Sequence, residues 1–283
     1  MISRRVPKAP AFLLLGLTLV LALPARADFA GVPDKFRIML GGTSADFVTE
    51  GALSVEQAGT GVTINFEELF DIPTDRQSAR LEGFWRFGER SYLDFGFVQF
   101  NREGSKNLEQ DVTWGEFTIA EGSFVKATWD SNFPYAAYRY AFLPEEKVKI
   151  SGSAGISFVG IGPKLEADGG VTGPDGPVVG HFSKEEDVAF PVPLIGLRLD
   201  WAIRDRLELM TFTRFFYLNY ESIFKGGMRE TALRLTWDFS KHVGVAAGYD
   251  STSVRLKEYD TGDYKAKFTY DITGFSAYLT LAF

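Results

Sequence analysis

His181 is the residue of this chain whose neighbours come nearest to a catalytic group, because Ser183 and Asp187 follow it within one short stretch. A hydrolytic triad uses these residue types, with the acid orienting the histidine and the histidine activating the serine. General-base chemistry requires the side chains to lie within hydrogen-bond reach of each other. The stretch is predicted to belong to a mobile loop, and no second acidic cluster converges on it. We therefore predict that the chain is not an enzyme, and a hydrolase is the least favoured alternative.

Composition excludes several other chemistries. The 283 residues contain no cysteine, which rules out disulfides, thiol catalysis and thiolate metal sites. His181 and His242 are the only histidines, so a histidine-rich metal centre is also excluded, and we expect neither a metal nor a cofactor. A formal net charge of -7 argues against nucleic acid as a partner, because phosphate binding requires a positive surface.

The beginning of the chain has the three-part pattern of a secretory signal peptide. Basic residues precede an apolar run of about 15 residues, and a cleavage site follows at Ala25-Arg26-Ala27. The apolar run is shorter than the roughly 20 residues that a membrane-spanning helix needs. We therefore predict that residues 1–27 are removed on export and that residues 28–283 form one β-barrel domain.

The mature chain is predicted to form about ten β-strands, in which apolar residues alternate with polar or small ones. No run of 18 apolar residues follows position 28, so a transmembrane helix is not predicted. Tight turns alternate with longer links and the strand number is even, as in closed antiparallel transmembrane β-barrels with short periplasmic turns and long extracellular loops. The predicted strands cover 35–48, 78–88, 91–101, 124–142, 147–161, 188–203, 206–220, 227–239, 242–256 and 264–283.

The fourth predicted strand is the least regular, because Pro134 interrupts its alternation and indicates a bulge. A hairpin hidden at this point would raise the strand count to twelve. A wrong partner for the seventh strand would lower the count to eight.

Successive side chains point to opposite faces of a strand, so each predicted strand has an apolar face and a mixed face. A charge facing lipid costs about 2–4 kcal/mol at the bilayer midplane, which assigns the charged faces to the lumen. We predict that these charges form an ion-pair network that largely fills the lumen, with a narrow path for small polar solutes as the alternative. The inward set contains eight basic and six acidic residues: Arg37, Arg80, Glu82, Arg86, Asp94, Arg139, Lys149, Arg198, Asp200, Glu208, Arg214, Arg234, Asp238 and Asp250.

The last strand ends in a regular apolar alternation formed by Phe275, Leu279, Leu281 and the terminal Phe283. This ending is similar to the C-terminal signal that the barrel-assembly machinery of outer membranes reads. With the signal peptide, it makes the chain resemble the small outer-membrane β-barrel proteins of Gram-negative bacteria. The resemblance implies a location in the outer membrane, contact with its lipid and lipopolysaccharide, and the assembly machinery as a partner during biogenesis. It implies no particular activity, so we favour a structural or surface-interaction role over a narrow channel and a hydrolase at the barrel rim.

The first long link, residues 49–77, contains apolar residues that are unusual in an exposed loop: Phe66, Leu69, Phe70 and Ile72. Asn65 is placed to cap a short helical turn that ends before Pro73. We expect this segment to pack onto the barrel rim. The alternatives are a lid over the mouth and a contact with lipid or a partner.

Overall fold

The structure is a computed structural model that describes residues 35–55, 63–114, 117–144, 147–178, 181–185, 188–220, 224–260 and 264–283. The predicted signal peptide, residues 1–27, lies outside the described residues. Within the described ranges, no helix is long and apolar enough to cross a membrane.

The described chain consists mainly of β-strands and contains one short helix. In chain order the elements are β1 (Phe36–Val55), β2 (Thr63–Asn65), α1 (Phe66–Phe70), β3 (Asp75–Arg86), β4 (Ser91–Asn107), β5 (Val112–Trp114), β6 (Phe117–Ile119), β7 (Phe124–Asn132), β8 (Tyr135–Pro144), β9 (Val148–Asp168), β10 (Val171–Gly173), β11 (Gly176–Val178), β12 (His181–Glu185), β13 (Val188–Arg204), β14 (Leu207–Tyr220), β15 (Phe224–Asp238), β16 (Val243–Asp260) and β17 (Tyr264–Ala282).

The wall of the barrel closes through the pairing of its first and last strands. β1 pairs with β17 from Arg37 opposite Ala282 to Val55 opposite Tyr264, and with β3 on its other side. From β3 the antiparallel ladder continues through β4, β7 with β8, β9, β13, β14, β15 and β16 to β17. With β7 and β8 counted as one strand, ten of the described strands form the ring. The predicted ten-stranded closed antiparallel barrel is therefore confirmed.

The fourth strand of the wall is interrupted where the sequence predicts a bulge. β7 ends at Asn132 and β8 begins at Tyr135, so Phe133 and Pro134 lie between them. Both segments pair with β4 on one side and with β9 on the other. Pro134 cannot donate a backbone hydrogen bond to a ladder, although its carbonyl accepts one from the Phe158 N–H at 2.9 Å. The interruption is thus a break within one strand, and the described residues form no extra hairpin at this point.

Several wall strands extend further toward the long links than predicted. The predicted strands end too early because apolar and polar residues exchange faces along these strands. β1, β4 and β9 run to residues 55, 107 and 168, whereas the predicted strands end at 48, 101 and 161. Near the tight turns the outward positions are apolar and the inward ones charged. Near the long links Phe47 and Phe100 point inward, and Asp46 and Gln99 point outward. We call the tight-turn end the base of the barrel and the long-link end its mouth.

The long links add β-structure above the mouth. β5, β6, β10 and β11 form a separate four-stranded sheet, and β12 pairs with the end of β9. Residues 169–177 are rich in glycine and proline, a composition that predicts an irregular loop, but the structure contradicts this prediction. The stretch forms the β10–β11 hairpin, in which Gly173 pairs with Gly176. Gly176 has a φ of 106°, a left-handed conformation that is favourable mainly for glycine and permits the tight turn.

Candidate functional site

The interior of the barrel is the candidate site, and its lower half carries the charges. None of the fourteen residues predicted to face inward is exposed in the structure. Eight are buried: Arg37, Glu82, Asp94, Arg139, Asp200, Arg214, Arg234 and Asp250. The other six are half-buried: Arg80, Arg86, Lys149, Arg198, Glu208 and Asp238.

Arg234 lies at the centre of one ion-pair cluster. Its Nη2 atom donates to Glu82 Oε1 and to Asp250 Oδ1, both at 2.7 Å. Arg80 contacts the same two carboxylates and reaches Glu230 at 3.3 Å. The cluster therefore connects β3 with β15 and β16, which are not its neighbours in the wall. Charge-assisted hydrogen bonds of this kind compensate the high cost of burying the ions.

A second cluster forms around Asp200, which lies 2.6 Å from Arg198 and 3.9 Å from Arg139. Arg139 also donates to Asp94 at 2.8 Å, which links β8, β4 and β13. At the base, Asp238 accepts a hydrogen bond from Arg37 at 2.9 Å.

Aromatic rings also pack against the arginines of the lower lumen. The Arg139 guanidinium lies 4.0 Å from the centre of the Tyr92 ring, and that of Arg214 lies 4.1 Å from Tyr135 and 4.2 Å from Phe212. The negative face of each ring attracts the cation, and the effect is stronger where water is excluded. The arginines are thus held between carboxylates and rings.

Glu230 belongs to this network and was not predicted. It contacts Arg80 and, at 3.2 Å, Arg214. The signal for it was present in the sequence, because Glu230 lies four residues before Arg234 and so shares its side of β15.

The upper half of the interior is apolar, and we call it the mouth chamber. It is lined by buried side chains from β1, β4, β7 and β17 and from the break in the fourth strand: Phe47, Phe100, Trp129, Phe133, Tyr270 and Ile272. The Tyr270 hydroxyl is satisfied by Ser131 Oγ at 2.9 Å. Exposed positions of β1 and β4 in this half include Asp46, Glu50, Gln99 and Glu103, so this part of the barrel has an apolar interior and a mainly polar outer surface.

The segment was expected to pack onto the barrel rim. Instead, helix α1 lies in the mouth chamber and fills it. Asn65 caps the helix by accepting a hydrogen bond from the Glu68 N–H at 3.0 Å. Phe66 and Phe70 are buried, and the Phe66 ring lies 5.2 Å from that of Trp129. The alternative prediction of a lid over the mouth therefore describes the segment better.

A buried ion pair fixes α1 in the chamber. Glu67 Oε1 accepts a hydrogen bond from Arg102 Nη1 at 2.7 Å, and Glu67 Oε2 accepts one from the Thr49 N–H at 3.0 Å. Arg102 Nη2 donates to Thr49 Oγ1 at 2.8 Å. Sequence analysis missed this group because Glu67 and Arg102 lie in or beside predicted links, and no local pattern connects residues 35 positions apart.

A small cavity of about 40 Å³ lies where the two halves of the interior meet. Arg80, Glu230 and Asp250 line it from below, and Phe100 and Phe133 from above. A water molecule needs about 10–15 Å³, so the cavity has room for a few waters. A second cavity, of about 20 Å³, lies deeper among the charges.

His181 lies on β12, which belongs to the main sheet and pairs with the end of β9 at the mouth. Its Nδ1 atom is 2.9 Å from Asp168 Oδ1, and its Nε2 atom is 3.9 Å from Glu166. A hydrogen bond from Lys164, 2.8 Å away, lowers the pKa of the Glu166 carboxyl. The His181 side chain is half exposed.

Two further observations bear on the chemistry at His181. Ser183, its predicted neighbour, pairs with Glu166 across the strands, and Asp187 lies outside the described residues. Within the described ranges, no group of three or more histidine, aspartate or glutamate side chains is arranged to hold a metal ion.

The fold is similar to that of solved outer-membrane proteins. The outer membrane protease OmpT from Escherichia coli matches with a TM-score of 0.58 at 13% identity, over 90% of this chain and 99% of that one. The outer membrane protein OprG from Pseudomonas aeruginosa matches with a TM-score of 0.36 at 10% identity, over 88% and 96% of the two chains. No protein-family model matches the sequence, and no curated protein matches it. The likeness to the protease supports a β-barrel fold of the kind found in outer-membrane proteins and leaves the activity open.

Proposed function

We propose that this chain is an outer-membrane β-barrel protein with a sealed interior and a structural or surface-interaction role. The observation that carries the proposal is the closure of the lumen at two levels. Ion pairs cross its lower half, and α1 with its buried phenylalanines fills its upper half. A pathway for solutes would have to break both layers.

The lipid-facing surface supports the proposed location in the outer membrane. Large apolar side chains are exposed around the lower wall, among them Leu40, Ile195 and Leu233. Trp85 and Trp201 are about half exposed near the base, where rings of this kind suit the headgroup level. Acyl chains and lipopolysaccharide would then surround the barrel, and residues 1–27 would be removed during export. The apolar alternation that ends in Phe283 would be read by the assembly machinery.

We also propose that the chain has no enzymatic activity. The protease among the similar structures is 13% identical, a likeness that concerns the fold. The pair formed by His181 and Asp168 is exposed on an outer strand extension, where neither a binding cleft nor the exclusion of water supports catalysis. Peptide or lipid cleavage that disappears in a His181→Ala variant would favour the hydrolase instead.

Planar-bilayer recording tests the sealed interior. The refolded protein is expected to leave the bilayer silent, because the ion pairs and α1 obstruct the lumen. Detergent without protein provides the baseline, and a shift in gel mobility on boiling verifies that the barrel has folded. Discrete conductance steps from folded protein would overturn the sealed interior and favour a narrow channel for small polar solutes.

A further inference from the structure

We propose that the mouth chamber is a binding site for an amphipathic carboxylate, and that α1 occupies this site when the ligand is absent. The ligand would have an anionic carboxylate head and an apolar, preferably aromatic, body. This inference goes beyond the proposed structural and surface-interaction role, because it assigns a small-molecule ligand to the interior.

The head of the ligand would bind to Arg102, whose side chain is 1% exposed. Its guanidinium carbon lies 4.3 Å from the centre of the Phe47 ring and 5.6 Å from that of Tyr270. A desolvated cation between two rings requires an anion, because a buried charge without a partner is strongly destabilising. Glu67 supplies that anion in this structure. Arginine presents its donors in a fork that matches a carboxylate, so a free carboxylate can take the place of Glu67.

The body of the ligand would occupy the space that Phe66 and Phe70 now fill. Phe66 packs against Trp129, which also stacks on Phe268 at a ring distance of 5.8 Å and an angle of 12°. Withdrawal of α1 would leave a chamber with these aromatic walls and with Arg102 at its side. Aromatic side chains form stacked or edge-to-face contacts with other rings, so a flat apolar group fits this space best.

Two buried donors in the chamber are left unsatisfied while α1 is in place. Arg102 Nε and Trp129 Nε1 are two of six buried side-chain nitrogen and oxygen atoms that have no hydrogen-bond partner among the described residues. Buried donors normally have partners, and each exception calls for a physical explanation. Glu67 therefore leaves these two donors without an acceptor. A ligand that places its oxygens differently can gain hydrogen bonds that α1 does not make.

The attachment of α1 is local and can be weakened by a single substitution. The helix has five residues, and a helix of this length is not stable by itself in water. Its C-terminal end lies directly against Gly104, where an added Cβ would come within 2.5 Å of the Phe70 and Asp71 carbonyl oxygens. Gly104→Ala should therefore displace α1 and leave Arg102 and the aromatic walls unchanged.

The test measures binding of 2-naphthoate to the full mature chain in lipid nanodiscs by calorimetry, with empty nanodiscs subtracted. Gly104→Ala is expected to bind at least tenfold more tightly than the unaltered protein, because the competing helix no longer holds the site. 2-Naphthylmethanol and 2-naphthylmethylamine, which lack the carboxylate, are expected to bind Gly104→Ala at least tenfold more weakly. Adding Arg102→Met should abolish the preference for the carboxylate.

The matched control is Gly42→Ala, where an added Cβ would meet its nearest neighbour at an ordinary 3.5 Å. This variant should bind like the unaltered protein, and gel mobility before and after boiling should show that all variants are folded. No saturable binding to folded Gly104→Ala, or equal affinity for the three probes, would overturn the inference. Neither result would affect the sealed interior, which the bilayer recordings test separately.

Discussion

At the scale of single residues, the molecule depends on arginines that are buried and shared between carboxylates. Arg234 is 1% exposed and is held by Glu82 and Asp250. Replacing an entire buried ion pair by apolar groups can be neutral, whereas removing one partner leaves an uncompensated charge. A single substitution in the network should therefore lower the free energy of unfolding by more than the net contribution of the whole ion pair suggests.

Glu82→Gln tests this dependence on charge. The variant keeps the shape of the side chain but removes the negative charge that faces Arg234 and Arg80. We expect a loss of about 3–5 kcal/mol in the free energy of unfolding, the usual cost of breaking a buried pair. Urea unfolding in lipid vesicles, followed by tryptophan fluorescence, measures it.

The control is Glu103→Gln, because Glu103 forms a partly exposed pair with Lys126 at 3.1 Å. Exposed pairs contribute little, so this variant should unfold close to the unaltered protein. Equal stability of the Glu82 variant and its control would contradict a structural role for the network.

At the scale of elements, alternation in the sequence was sufficient to place the strands of the lower barrel. It also gave the face of each strand, since the cost of charge in lipid decides which side points outward. The upper extensions could not be predicted by the same rule, because the apolar residues there change sides. Phe47 and Phe100 both fall at the ends of predicted strands, 35–48 and 91–101, without any indication that they line a chamber. The position of α1 depends on the distant Arg102, which no local pattern indicates.

The last element, β17, should also control assembly if its alternating end is an insertion signal. Phe283→Asp places a charge at the terminal position, which is 67% exposed at the base of the barrel. We expect slower assembly and accumulation of the chain in the periplasm, which cell fractionation and surface labelling measure. Phe239→Asp, which alters another exposed aromatic residue near the base, distinguishes loss of the signal from a general effect of charge. Unchanged surface accumulation of the Phe283 variant would count against the signal.

At the scale of the whole molecule, closure is the property on which the other features depend. Because β1 and β17 pair along their full length, the described strands leave no open seam between the first and last strands at which detergent or another chain can begin to separate the ring. We expect the folded protein to migrate faster than the boiled protein on a detergent gel. The variant Leu279→Pro, whose substitution lies opposite Leu40 near the base end of the closing ladder, should lose this difference at a lower temperature. Identical migration of heated and unheated protein would contradict closure.

The distances in sequence that the lower network spans have a consequence for biogenesis. Arg234 meets Glu82 across 152 positions, and Arg37 meets Asp238 across 201. Contacts between such distant residues require most of the polypeptide to be present, and topologies of this kind form slowly. Until β15 is present, Glu82 and Arg37 lack these distant partners and must stay hydrated. Pairing of these charges across the lower lumen is therefore a late step of folding. The incomplete chain must be kept from aggregating until its last strands are present.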